Sequence, residues 1–367
     1  MKYYLIAGEA SGDLHGSNLM KGLLAEDPDA SFRFRGGQMM ASVGGTLVRD
    51  YRDGAVMGFT DTLLKLPRLL GDLSECEKDI LGWQPDVVIL IDYPGFNMRI
   101  ARFCHARGIK VFYYIAPKTW ASREGRNRKL ARWVDRLFII FPFEIPYFTR
   151  KGIPFTYEGN PLIDAVDGHE FKPVCEGRYV ALLAGSRKGE ISRMMPVCME
   201  VADRLGCKVV VAGAPSRTIE DYRPYLEGRK NVEVVFGRTY DVLKGADAAI
   251  INSGTASLEA ALIGTPQVVC WSTTPLTAFL ARKVLRVMDH IKYISLGNLC
   301  IDKLAFRELV QEDFNADEVT SEVRRLLEDQ EYRSAMLADY ARIRESLGGA
   351  GASRKIARAM LAALRGE

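Results

Sequence analysis

Lys2-Tyr3-Tyr4-Leu5-Ile6-Ala7-Gly8-Glu9-Ala10-Ser11-Gly12 runs an apolar strand into a turn of small residues, and Tyr179-Val180-Ala181-Leu182-Leu183-Ala184-Gly185-Ser186-Arg187 does the same in the second half of the chain. Each opens an alternation of short apolar strands with helices. In the first half the strands fall at residues 2–7, 86–91, 110–115 and 136–141, with helices at about 13–26, after Asn97, and, strongly basic, before Arg136. In the second half they fall at 179–183, 208–211, 232–236, 248–251 and 267–270, and helical sequence continues from about Ala316 onward. Such alternation predicts parallel sheets covered on both faces. Gly159-Asn160-Pro161 and the polar stretch 164–177 separate the two runs. The fold class is therefore α/β: two Rossmann-like doubly wound domains, residues 1–165 and 166–345, with an interdomain cleft. A helical C-terminal extension, 346–367, is expected to pack back on the first domain.

Composition narrows the function classes. The 367 residues are 48% hydrophobic and 26% charged, enough to bury two cores and too apolar for a disordered chain. The longest apolar runs, such as 87–91 and 137–141, have the length of buried strands, not of membrane spans. The N-terminal apolar segment meets Glu9 at once, too early for a signal peptide, so a cytoplasmic location is expected. Seven Cys without a C-x-x-C pair fit a reducing compartment, and four scattered His show no zinc spacing. No metal site is expected. Residues 118–136 hold seven basic and two acidic side chains within a chain of net charge +4. This patch suits phosphates or anionic lipid heads, or is a solvated helix face; without interleaved aromatics, nucleic acid is not an expected partner.

Ligands of open α/β sheets sit beyond the carboxyl ends of the strands, which makes the turns decisive. Neither turn is G-x-G-x-x-G, so a dehydrogenase is disfavoured. Gly185-Ser186-Arg187 combines close backbone approach, a hydroxyl and a guanidinium suited to bidentate phosphate binding, although Arg187 paired only with Glu190 is the structural alternative. Asn252-Ser253-Gly254-Thr255 ends a strand and opens a helix whose free N–H groups form an anion site. Glu259, one turn in, either serves the helix dipole or accepts from a ribose diol. Gly213, just past the strand at 208–211, joins this donor set. In the first domain Asp92 ends a strand with no local task, since Pro94-Gly95 serve the turn and Asn97 caps the next helix; it is a candidate base, with Glu9 after the first strand as the second carboxylate. Residues 56–73 place Leu63, Leu66, Leu70 and Leu73 near helical spacing with Lys65 and Arg68 between them, a stripe that is either core or, with Leu69 added, an interfacial membrane contact.

These motifs together resemble the lipid-A-disaccharide synthases. The resemblance runs through Gly8-Glu9-Ala10-Ser11-Gly12-Asp13, Gly36-Gly37-Gln38-Met39-Met40, Asp92-Tyr93-Pro94-Gly95-Phe96-Asn97, residues 117–120, Phe141-Pro142-Phe143-Glu144, Gly185-Ser186-Arg187, residues 253–259, Asn298 and Glu308-Leu309-Val310-Gln311. It implies the GT-B glycosyltransferase fold, a UDP site in the second domain that includes Asn298, and inverting transfer between two substrates. These are UDP-2,3-diacylglucosamine and 2,3-diacylglucosamine 1-phosphate, joined through a β-1,6 link without a cofactor. The acceptor and membrane side is assigned Ser11, Gly12, Trp120 and Arg123 beside the Leu-rich stripe. It further implies peripheral attachment to the cytoplasmic face of the inner membrane, with a homodimer as one assembly to test. The chain departs from the family at Asn160, where a His is usual, and at Ala121-Ser122-Arg123, where aromatics are usual. Two other classes stay open at this point: a UDP-sugar epimerase of the same architecture, and a non-catalytic UDP-binding peripheral membrane protein.

Overall fold

The computed structural model describes residues 1–55, 65–121, 124–274 and 292–367. They divide into two compact units, Met1–Asp164 with Gly348–Glu367, and Ala165–Leu347. The first holds β1 (Lys2–Ala7), β2 (Ser31–Gly36), β3 (Thr46–Asp50), β4 (Val87–Ile91), β5 (Val111–Tyr114), β6 (Arg136–Ile139) and β7 (Thr156–Tyr157). These form one parallel sheet in the order β3-β2-β1-β4-β5-β6-β7. The second holds β8 (Tyr179–Leu183), β9 (Lys208–Gly213), β10 (Val232–Phe236), β11 (Ala248–Asn252), β12 (Gln267–Trp271) and β13 (Glu308–Val310), parallel in the order β10-β9-β8-β11-β12-β13. Both sheets are doubly wound. The strand order reverses between β1 and β4 in one and between β8 and β11 in the other, and these switch points are where such sheets bind ligands.

Burial on both faces explains the apolar strands: every residue of β4, β8 and β11 is buried. Strand β2 is different. It reads Ser-Phe-Arg-Phe-Arg-Gly, and its charges hide it from a hydrophobicity reading. Arg33 makes a bidentate pair with Asp79, Nη2 to Oδ1 at 2.6 Å, and Arg35 lies over the Phe96 ring with Nη1 3.7 Å from Glu75. Both acids stand on the helix Lys65–Trp83, and Asp79 also accepts from Tyr4 Oη at 2.8 Å. The other strands absent from the sequence reading, β3, β7 and β13, are short edge or near-edge strands of two to five residues.

Helix Ala10–Glu26 starts at Ala10, one turn earlier than the sequence suggests, with Glu9 as its extended N-cap. It packs on the last helix, Ala352–Arg365, so closely that a Cβ on Gly22 would lie 2.7 Å from the Ser353 carbonyl. Glu26 accepts from Arg354 and Arg358, and Asp164 takes the N–H groups of Gly351 and Ser353 at 2.6 and 2.8 Å. Asp13, 3% exposed, reaches from the first helix to the start of the next one, Gln38–Val43. Its carboxylate accepts the N–H groups of Gly37, Met39 and Met40 at 2.9–3.0 Å, three donors that a helix start otherwise leaves orphaned.

Three local expectations change. Asn97 is not the cap of helix Pro94–His105: Tyr93 is, and Asn97 lies inside the first turn, its Nδ2 donating to the carbonyls of Asp92 (2.8 Å), Ile91 (3.2 Å) and Ile6 (3.4 Å). The basic stretch 118–136 is not one helix face, because Lys118 sits in the loop after β5, the helix spans only Arg126–Trp133, and Arg136 opens β6. The Leu-rich stripe is divided: Leu73 is buried, Leu69 packs half-buried on the core, and Leu70 is 54% exposed. Pro67 falls in the first turn of helix Lys65–Trp83, where its missing N–H costs nothing. The side chains of Lys65, Leu66 and Arg68, and all of Leu63 and Arg123, lie outside the described residues.

Candidate active site

At the switch point of the first sheet, β1 and β4 deliver Glu9 and Asp92 from adjacent strand ends. The two turns interlock: a Cβ on Gly8 would stand 2.2 Å from the Tyr93 ring, so only glycine fits. Asp92 and Tyr93 both adopt left-handed backbone, φ +43° and +45°, which is costly for residues with side chains. Hydrogen bonds over-determine the turn. The Asp92 N–H donates to the Tyr114 carbonyl (3.1 Å), while its own carbonyl accepts from Tyr113 Oη (2.6 Å) and Asn97 Nδ2. Burial, helped by the nearby charge of Glu9, pushes the Asp92 carboxyl up to about 6; Lys118 and Arg126 act in the opposite direction. A carboxylate with that affinity for a proton suits general-base work near neutral pH.

The neighbouring residues take different parts. Glu9 is exposed and accepts from Ser11 Oγ at 3.0 Å. Gly12 serves packing, since a Cβ there would meet the Ala7 Cβ at 3.1 Å. Trp120 stands edge-on to Phe143 (4.9 Å), which in turn stacks on Phe141. Glu144, after β6, is 2% exposed and caps its own turn by accepting from the N–H groups of Ile140 and Phe141. Burial pushes its carboxyl up to about 8.

At the second switch point the donor candidates line three adjacent strand ends: Gly213 on β9, Gly185-Ser186-Arg187 after β8, and Ser253-Gly254-Thr255 after β11. Gly185 has φ +96°, and a Cβ on it would lie 2.6 Å from Glu190 Oε2 and 2.8 Å from Asn252 Nδ2. Ser216 Oγ ties the β9 loop to the Ser186 carbonyl at 3.4 Å. Glu190 takes the N–H groups of Ser186 and Arg187 and pairs with Arg187 Nη1 at 3.1 Å. The backbone of this turn is thus satisfied internally. Arg187 itself is 69% exposed, and so exposed a pair holds the guanidinium weakly enough for a phosphate to take it over. Helix Thr255–Ile263 starts at Gly254 without a side-chain cap, which leaves its first N–H groups without the partner a capping side chain would supply.

Glu259 accepts from Tyr240 Oη at 2.8 Å, and burial raises its pKa. Tyr240 is a site neighbour that sequence reasoning missed; nothing at position 240 marks it, because Glu259 is distant in the chain. Gly213 has a packing reason of its own, a Cβ there meeting the Phe236 ring at 2.4 Å. Asn298 has a structural task. It is buried, its Oδ1 accepts from the N–H groups of Ala305 and Phe306, and its Nδ2 donates to the Phe306 carbonyl and Glu308. In this arrangement its side-chain hydrogen bonds all go to holding residues 305–308.

The profile of the Lipid-A-disaccharide synthetase family matches residues 3–362. The chain belongs to this family. Lipid-A-disaccharide synthases from Trichlorobacter lovleyi and Geobacter metallireducens are 36% and 38% identical to it, with 96% of this chain and 95% and 94% of theirs covered. Among solved structures, an S. aureus MnaA–UDP co-structure superposes with a TM-score of 0.73 at 13% identity, over 99% of this chain and 97% of that one. The calicheamicin glycosyltransferase CalG4 gives 0.60 at 15%, over 100% and 98%. At such identities the structures share the fold, the GT-B pairing of Rossmann-like sheets. In this lipid-A-disaccharide synthase the residue at the family's His position, Asn160, is fully buried: its Nδ2 donates to the Ile140 carbonyl (3.0 Å) and its Oδ1 accepts from Leu162 N–H (2.9 Å). Asn160 therefore binds the end of β6 to the helix Leu162–Asp167 and carries no titratable group.

Proposed function

We propose that this lipid-A-disaccharide synthase joins UDP-2,3-diacylglucosamine to 2,3-diacylglucosamine 1-phosphate by inverting transfer, with Asp92 as the base. The observation that carries the assignment is the strained, hydrogen-bond-locked Asp92 at the switch point of the first sheet. Asp92 takes the proton of the acceptor 6-hydroxyl as that oxygen bonds to the anomeric carbon. The bond from that carbon to the diphosphate breaks, and its electron pair leaves on UDP. Arg187 and the N-terminus of helix Thr255–Ile263 meet the charge that develops there, with Glu259 on the ribose. No metal enters this scheme.

UDP release with and without the acylated acceptor phosphate tests it. Release only with acceptor, unchanged by EDTA, is expected. Isomerised sugar without acceptor would instead mark an epimerase, binding without turnover a non-catalytic protein, and loss in EDTA reversed by Mg²⁺ would bring a metal into the step. Arg187→Ala is expected to weaken UDP binding roughly 10- to 100-fold, the worth of one or two charge-assisted hydrogen bonds. Unchanged affinity by titration calorimetry would remove Arg187 from the donor site.

No helix among the described residues is long and apolar enough to cross a membrane. Both substrates carry long acyl chains, and exposing them costs about 0.8 kcal/mol per methylene, so docking on the cytoplasmic face of the inner membrane is part of the proposal. Leu70 and Leu66 are the contacts to test, because Leu69 is half committed to the core. Leu66→Ser with Leu70→Ser should lower sedimentation with anionic vesicles roughly tenfold at unchanged thermal midpoint and UDP affinity. Undiminished pelleting would move docking to another surface.

A further inference from the structure

Strand β5 lies between β4 and β6, so the segments leaving these three carboxyl ends stand side by side: Asp92 after β4, Lys118 after β5, Glu144 after β6. Backbone bonds continue the alignment past the strands, Asp92 N–H to the Tyr114 carbonyl and Ile115 N–H to the Phe138 carbonyl. Ile115 is itself left-handed, φ +65°, which redirects the chain just before Pro117 and Lys118. The ammonium of Lys118 thereby acts on both carboxyls, favouring the ionised form of each. Lys118 is exposed, and among the described residues no carboxylate lies within ion-pair distance of it. The groups that face Asp92 are Glu9 from the β1 turn, Lys118, Arg126 from its helix, and the Tyr113 hydroxyl, which is engaged by the Asp92 carbonyl. Glu9 opposes ionisation of Asp92; the two cations favour it.

We propose that Lys118 is a positioning residue of the transfer reaction, whose charge, carried on the segment that leaves the carboxyl end of β5 beside the Asp92 turn, holds Asp92 in the form that can take the acceptor's proton. The inference rests on Asp92 being the base. Glu144 lies on the other side, after β6, buried and with its carboxyl already accepting from the N–H groups of Ile140 and Phe141. The separation suits this role, since a cation that formed a contact pair with Asp92 would suppress its basicity, whereas one at longer range biases the charge state and leaves the oxygens open to the substrate.

The test is the pH dependence of kcat in the full-length protein with both lipid substrates at saturation, for wild type, Lys118→Met, Lys118→Arg and Asp92→Asn. Losing one cation near a half-buried carboxyl should move the acidic limb of the Lys118→Met profile upward by about 0.5 to 1 pH unit, and Lys118→Arg should return it to within about 0.2 unit of wild type. UDP affinity and thermal midpoint are expected to hold, as the side chain is exposed; if Lys118→Met lowers the midpoint, Lys118→Gln carries the same comparison. An unmoved limb in a folded variant, with Asp92→Asn inactive, overturns the role of Lys118 and leaves the base in place. An unmoved limb with a raised KM for the acceptor overturns it as well and makes Lys118 a phosphate ligand. Turnover retained in Asp92→Asn defeats the base assignment, and this inference with it.

Discussion

Asp92→Asn is expected to lower turnover by about 10²- to 10⁴-fold while leaving UDP affinity unchanged. The amide keeps the size of the side chain and can accept and donate hydrogen bonds, but it cannot take the proton of an attacking hydroxyl. The backbone bonds that hold the turn come from the main chain of Asp92, so they survive the substitution. The pH profile supplies an independent sign. With the carboxyl pushed up to about 6, the fraction of working carboxylate falls as pH drops through that value, so turnover should decline tenfold per unit below it. An ordinary exposed aspartate would hold its rate to about pH 4. Single-turnover rates across pH 4.5–8 read both effects together, pH values being those of roughly a two-unit window around the carboxyl. Near-normal turnover in the variant would transfer the role to Glu9.

Asp13→Ala is expected to cost about 3 to 4 kcal/mol of stability. Three backbone N–H groups at the start of helix Gln38–Val43 converge on this one buried carboxylate, and alanine leaves all three without a partner away from water. A side chain at Gly37 cannot take its place, because a Cβ there would stand 2.5 Å from the Tyr51 ring. Denaturant unfolding followed by circular dichroism checks the size of the loss. The control is Asp29→Ala, an exposed acid sixteen residues on, which should change stability by less than about 0.5 kcal/mol. Equal effects in the two variants would show that the Asp13 carboxylate is not what holds the second helix.

The donor turns were readable as turns because glycine and hydroxyl residues after an apolar run have few other uses. Their chemistry was less so. Gly185 is required by a positive φ and by the closeness of Asn252 and Glu190, but the same crowding shows that Glu190 already satisfies the N–H groups of Ser186 and Arg187. Asn298 lies in a family motif and looks like a nucleotide ligand in one dimension; in three it is a clamp on residues 305–308. Tyr240 against Glu259 depends on a contact between segments that carry no mutual signal along the chain.

Periodicity and turn chemistry alone were enough for two parallel α/β sheets and for the strand ends where ligands belong, because strands buried on both faces must be continuously apolar and can end only in small or turn-forming residues. Strand β2, the charge state of Asp92 and the duty of Asn97 were decided only by tertiary structure. Arg33 and Arg35 are tolerable in a sheet because Asp79 and Glu75, 46 and 40 residues further along the chain, meet them from a helix. Asp92 owes its raised pKa first to burial and then to Glu9, from another strand. Asn97 reaches past its own helix to the carbonyls of β1 and β4. In each case the free energy of a polar group is set by partners and solvent exclusion, and neither is a property of the residue or of its immediate neighbours in the chain.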